Sequence, residues 1–173
     1  MKKKTKLEEM SDMMLRPIPK RKVGVVRLQM VKESTLFYDA RNLVDPETAV
    51  ELVKPLFDMA DREMMVVVSL TTKMEPLAVE IAAVGGINAC GIDIRDIFKH
   101  SILNNAAYVM CFHNHPSGCS EPSYQDELLT KKMEEGGRLL GIQLVDHIIV
   151  GGDTFYSFRR NGQISFIEVG SVA

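Results

Sequence analysis

The sequence predicts an α/β domain, a β-sheet sandwiched between helices. Three observations carry that expectation: β-branched runs with little polar alternation, capped segments whose apolar residues recur at helical spacing, and the mixing of the two along the chain. At 173 residues the chain is long enough for one sizeable core.

The first element is VGVVRLQMV, Val23–Val31, whose β-branched residues predict a strand. DPETAVELVKPLFDMA follows, with Asp45 as N-cap and Pro46 at the first helical position. Its apolar residues Ala49, Val50, Leu52, Val53, Leu56 and Phe57 keep helical spacing, so a helix is expected over Pro46–Ala60. MMVVVSLT, from Met64, hardly alternates, as befits a strand buried on both faces. EPLAVEIAAVGG reads as a further strand ending at a glycine pair, although its alanines leave a helix open. DIRDIFKHSILNN is expected to be a helix capped by Asp93, and AAYVMCFHN a strand. PSYQDELLTKKMEEGGRLLGI reads as a helix entered at Ser123, in which Gly136 and Gly137 each cost about 1 kcal/mol. Those glycines imply a close backbone approach or an early end. QLVDHIIVGG and TFYSFR close the sheet as a strand pair turning at Gly151, Gly152 and Asp153.

Composition narrows the function classes. Hydrophobic residues at 46% and charged residues at 25% describe an ordinary globular protein. No apolar run reaches the roughly 18 residues that span a bilayer, and the charged N-terminus lacks the apolar core of a secretory signal. A cytoplasmic protein is expected, with Cys90, Cys111 and Cys119 as free thiols and the methionines as core filler. Residues 1–22 hold eight Lys or Arg against three Asp or Glu, a net +5 within an overall −2, so the remainder carries −7. The organisation expected is a basic, flexible leader over 1–22 and a folded domain over 23–173. Such a leader can touch nucleic acid electrostatically, whereas an acidic body argues against a DNA-binding face on the domain.

The chemistry concentrates in CFHNHPSGCSEPSYQD, Cys111 to Asp126. On a strand, His113 and His115 project to the same face, as two imidazoles must to share one metal ion. Pro116 ends the strand, and a turn leads to a helix with Asp126 in its first turn. Two nitrogens and a carboxylate oxygen would leave a tetrahedral zinc one open position for water. Spacing alone leaves a second reading open: Ser123-x-x-Asp126 matches a capping box, and two histidines can simply end a strand.

The same residues resemble the JAMM (MPN+) pattern, His-x-His-Pro, then a serine, then an aspartate. Asp126 lies eleven residues after His115, and Ser123 eight. The closer resemblance is to the RadC-like JAB domain, through FHNHPSG, EPSYQDELLT, LLGIQLVDHIIVGG and FYSF, over about Val23 to Gly162. It implies a cytidine-deaminase-like α/β fold (the JAB/MPN fold) with a mixed sheet. It also implies Zn²⁺ held by His113, His115 and Asp126, a glutamate base, and a serine, Ser123, that steadies the tetrahedral intermediate. The activity implied is hydrolysis of a peptide, isopeptide or small amide by a zinc-activated water. A DNA-repair-associated accessory protein and a non-catalytic MPN scaffold are the alternatives. Full-length RadC proteins carry a helix-hairpin-helix module where this chain has its leader, which weakens a DNA role taken from the name.

The family pattern places the base upstream, at the start of a buried strand that follows a helix. Glu63 in DREMMVVVSL stands there; Glu75 and Glu80 do not. Burial would raise its pKa and a nearby cation would oppose the rise. Cys111 shares a strand face with His113, but the aspartate already completes a three-ligand set. Among the other histidines, His147 is expected to be a satisfied structural residue and His100 a surface one.

Overall fold

The computed structural model describes Thr5, Leu7, Glu8 and residues 23–58, 60–85 and 92–166. Apart from those three residues, the basic leader over 1–22 lies outside the described residues, as does Cys90. By its contacts the chain divides into two units, Met1–Lys32 and Glu33–Ala173. Every element named below belongs to the second.

Val23–Val31 forms no strand; it is irregular and exposed. β-branched residues favour a pleated, half-buried surface, and no described ladder includes this segment. The remaining elements match expectation. Helix α1 runs Pro46–Phe57, with Asp45 Oδ1 accepting from Thr48 N at 2.9 Å. It ends three residues short of Ala60. Strand β1 covers Met64–Leu70 and β2 Pro76–Val84, so the alanines of the second run do not make a helix. Helix α2, Ile94–Leu103, is capped by Asp93; β3 is Tyr108–Asn114; α3 is Tyr124–Leu140; β4 is Gln143–Gly151 and β5 Thr154–Ser157.

The sheet order is β2-β1-β3-β4-β5. Only β3 and β4 are parallel, joined through α3; the other neighbours are antiparallel. Both faces of the sheet are covered. Ala49, Leu52, Val53 and Phe57 of α1 pack on Val66, Val68, Met110, Phe112 and Ile148. On the other face, Ile97 and Phe98 of α2 and Leu129 and Met133 of α3 meet Met65, Val67, Cys111 and Ile149. Gly136 and Gly137 mark a close approach rather than an early end. A Cβ on Gly137 would lie 2.4 Å from Ile142 O, and one on Gly136 would lie 2.7 Å from Ile94 Cγ2. Helix α3 ends instead at Gly141, which takes the left-handed conformation at φ 72°.

His100 is not a surface residue. It lies three residues after Ile97 on the inner stripe of α2, and it is buried with Ser69 and Ser101. Ser69 Oγ donates to Ser101 Oγ at 2.9 Å and bonds His100 Nε2 at 3.1 Å. His100 Nδ1 and Glu80 Oε2 stand 2.6 Å apart, yet neither makes a well-aligned hydrogen bond. Burial pulls His100 down to about 4 and pushes Glu80 up, so the cluster favours its uncharged forms.

That shift has a testable sign. Below pH 6.5 the unfolded chain protonates His100 while the native state does not, so stability present above pH 6.5 is lost as pH falls towards 4. One proton contributes a slope of at most ~1.4 kcal/mol per pH unit; the half-exposed Glu80 works in the opposite direction and more weakly. Urea unfolding should show wild type losing stability relative to His100→Gln across that window. Parallel curves for the two proteins would contradict the assignment.

Candidate metal centre

His113 lies near the end of β3 and His115 one residue beyond it. His113 stands directly opposite Met65 of β1, on the face covered by α2 and α3. His115 N donates to Val150 O at 2.8 Å, extending the pairing with β4 one residue beyond Asn114. The chain then turns through Pro116–Ser120 and enters α3, whose first turn carries Asp126. Ser123 N and Ser123 Oγ donate to Asp126 Oδ2 at 2.7 and 2.6 Å, and Asp126 N donates back to Ser123 Oγ at 3.3 Å.

The capping box and the metal reading are therefore compatible. Asp126 uses Oδ2 for the cap and turns Oδ1 towards His113 Nε2, 3.2 Å away. His115 Nε2 lies 3.0 Å from His113 Nε2 and 3.7 Å from Asp126 Oδ2. One ligand atom from each of the three residues falls within 4.8 Å of the others, a spacing that can hold a metal ion.

The protons decide what that cluster wants. Thr130 Oγ1 has one hydrogen, and it goes to Asp126 O at 2.7 Å, because a carbonyl can only accept. His147 Nδ1, 2.7 Å from the same hydroxyl, must then be the donor to it. The neutral His147 ring is left with a lone pair on Nε2, which accepts from His113 Nδ1 at 2.9 Å. His113 Nε2 therefore carries a lone pair. On the other side, His115 Nδ1 donates to Cys119 O at 2.7 Å, so its Nε2 carries a lone pair as well. Two nitrogen lone pairs and a carboxylate thus face one point with little water around them: His113 is wholly buried and Asp126 is 3% exposed. Like partial charges at these distances repel in a low dielectric. A positive charge at the focus would relieve that repulsion, and either a shared proton or a metal ion could supply it.

Local backbone features hold this arrangement. Along β4 the register slips between Val109 and Met110, so that Met110 pairs with Asp146 and Cys111 with His147. Without that extra residue His147 would point to the α1 face; with it, His147 lies beside His113. Asp146, the neighbouring residue, is buried elsewhere and accepts from Ser157 Oγ and from Arg159 N at 2.9 Å. Gly151 lets the histidine loop lie against β4. A Cβ there would meet Ser120 N at 2.6 Å and the carbonyl carbon of Cys119 at 2.7 Å. That close approach puts the Cys119 carbonyl where His115 needs it.

Burial pushes the Asp126 carboxyl up, but a proton held between it and His113 in the metal-free protein, with the hydrogen bonds from Ser123, outweighs burial and keeps the group well below the usual carboxylate range. His147 goes the other way: burial first, then the charge of His113, keeps it neutral. Cys111 and Cys119 are free and stand outside the cluster, and burial pushes the Cys111 thiol up, away from the thiolate form. Glu63 is half-buried just before β1. Gly85 N donates to Glu63 O at 2.8 Å, which carries the β1–β2 ladder one residue beyond Met64. Strand alternation continued one residue beyond β1 would put Glu63 on the side of Met65 and His113. Of its rivals, Glu80 belongs to the His100 cluster, and Glu75 accepts from Arg41 Nε at 3.2 Å on the surface. Thr130 and the slip in β4 escaped the sequence reading; the spacing of Thr130, one helical turn after Asp126, is the only trace either leaves there.

A mixed sheet with helices on both faces, and a His-x-His strand end meeting an aspartate at a helix start, defines a JAB-type domain. Residues 43–163 match the RadC-like JAB domain, and the chain belongs to that family. It is similar to a UPF0758 protein of Listeria monocytogenes serotype 4b, 40% identical over 117 residues that make up 68% of this chain and 52% of the relative. A UPF0758 protein of Methanosarcina barkeri is 36% identical over 70% of this chain and 53% of its own length. One from Geobacillus is 35% identical over 76% and 58%. The chain thus spans about half the length of the curated relatives it matches. Among the described residues, no helix is long and apolar enough to cross a membrane.

Removing the acceptor behind His113 should weaken metal binding without touching a ligand. His147→Phe keeps an aromatic ring for the stack on Phe158, 4.9 Å away, and deletes the acceptor. Zinc affinity, measured against a competing chelator, should fall by about 10- to 100-fold. Wild-type affinity in a folded His147→Phe protein would contradict the tautomer assignment.

Proposed function

We propose that this chain is a zinc-dependent hydrolase that cleaves a peptide, isopeptide or small-molecule amide. The observation that carries the reading is the convergence of two imidazole lone pairs and one carboxylate on a single point. Nitrogen and oxygen donors in a set of three suit zinc with an open fourth position, whereas calcium and magnesium sites are built mainly from oxygens. A zinc ion held by His113, His115 and Asp126 would polarise the amide carbonyl and lower the pKa of a bound water to about 7. Membership of the JAB-domain family supports the same reading. A purely structural role fits less well, because burying three such groups without a cation is costly.

The chain's own residues would divide the remaining work. Glu63, which strand alternation would put on the face of His113, would take the proton released by the attacking water and return it to the nitrogen of the departing amine. Ser123 is already the N-cap of α3, and its exposed hydroxyl can turn from Asp126 to donate to the oxyanion that develops on the substrate carbonyl. The hydrogen bonds from Ser123 and the loop carbonyl of Cys119 fix Asp126 and His115 before any substrate arrives.

Elemental analysis should find about one zinc per chain in wild type, with most of it lost in His113→Ala and Asp126→Asn. Glu63→Gln should keep fold and zinc while hydrolysis of a fluorogenic peptide and isopeptide panel drops by about 10² or more. Ser123→Ala should lower turnover further than the ~1 kcal/mol cost of a lost cap explains. Full turnover by Glu63→Gln would remove Glu63 from the mechanism, and wild-type zinc in both ligand variants would remove the metal assignment.

A further inference from the structure

We infer that Asn114, the residue between the two histidines, is a positioning residue that fixes Glu63 relative to the metal centre. The β1–β3 ladder ends at the Met65–His113 pair. Beyond it, the Asn114 side chain takes over the ladder's work: Oδ1 accepts from Met64 N at 2.8 Å, and Nδ2 donates to Arg62 O at 3.1 Å. Those two peptide groups flank Glu63. From the opposite edge, Gly85 N holds Glu63 O at 2.8 Å. The backbone on either side of Glu63 is therefore gripped by β2 on one edge and by a single side chain of β3 on the other.

The chemistry requires an amide at this position. Asn114 is 5% exposed and both of its bonds are part-buried, so an apolar replacement would leave the Met64 N–H and the Arg62 C=O without these partners. Aspartate supplies an acceptor for Met64 N but turns a second acceptor on Arg62 O. Only a side chain with one donor and one acceptor at amide spacing satisfies both. One three-residue segment thus supplies two candidate ligands through His113 and His115 and sets the placement of the candidate base through Asn114. The clamp stands on its own hydrogen bonds; its consequence for catalysis rests on the reading of Glu63 as the base.

The test uses Asn114→Ala and Asn114→Asp in the full chain, with Glu63→Gln alone and combined with each. Zinc content should stay at the wild-type level, because no ligand is changed. Exchange of the Met64 amide should speed up about tenfold or more in Asn114→Ala, and less in Asn114→Asp, which keeps the acceptor. In the cobalt-loaded protein, Asn114→Ala should move the pH midpoint of the visible spectrum when Glu63 is present and leave it unmoved when Glu63 is already Gln. If Asn114→Ala does not fold, Asn114→Asp carries the same comparison. Unchanged Met64 exchange, or an equal midpoint shift in both backgrounds, would overturn the inference. A Glu63→Gln midpoint equal to wild type, with Met64 exchange still accelerated in Asn114→Ala, would instead count against Glu63 as the base while the clamp stood.

Discussion

Two imidazoles aimed at each other through unprotonated nitrogens, 3.0 Å apart, are the constraint on which the rest of the structure depends. The arrangement is unfavourable unless a positive charge fills it, and the protein commits several buried groups to creating it. The Thr130 hydroxyl, His147 and the Cys119 carbonyl each assign one proton, and each assignment removes an alternative tautomer. The expense is local: buried polar groups are tolerable where every one has a partner, as the Thr130–His147–His113 chain does.

The scaffold is shaped around that focus. Parallel pairing of β3 with β4 requires a crossover, and α3 supplies it while delivering Asp126 to the strand end. The close approaches at Gly137 and Gly151 allow α3 and the histidine loop to sit where side chains would forbid them. The slip in β4 then turns His147 to the face it must occupy. The opposite face, with α1 over Val66, Val68 and Phe112, is packed with apolar side chains and supports the sheet.

Much of this was legible in the sequence. Long β-branched runs and capped amphipathic helices each have a strong local cause, so β1, β3, β4 and the helices α1, α2 and α3 are expected close to where they lie. The His-x-His spacing and the capping box located the centre because strand alternation and helix entry are short-range geometry. Other features depend on distant partners. Val23–Val31 has strand propensity without a ladder to join, and propensity alone makes no strand. His100 reads as a surface residue from its helix alone, because Ser69, which bonds its Nε2, lies on another element. Nothing local marks Asn114, since its partners Arg62 and Met64 lie some fifty residues away. Bulges and tautomers leave no periodic signature at all.

The central claim is that His113 and His115 both present unprotonated Nε2 atoms to a shared cation. Long-range proton–nitrogen NMR correlation of the imidazole rings in the zinc-loaded protein reads this directly. The account predicts that His113, His115 and His147 all carry their hydrogen on Nδ1, with the Nε2 signals of His113 and His115 shifted by metal coordination and that of His147 unshifted. A hydrogen on Nε2 of either His113 or His115 in the zinc-loaded protein would contradict it.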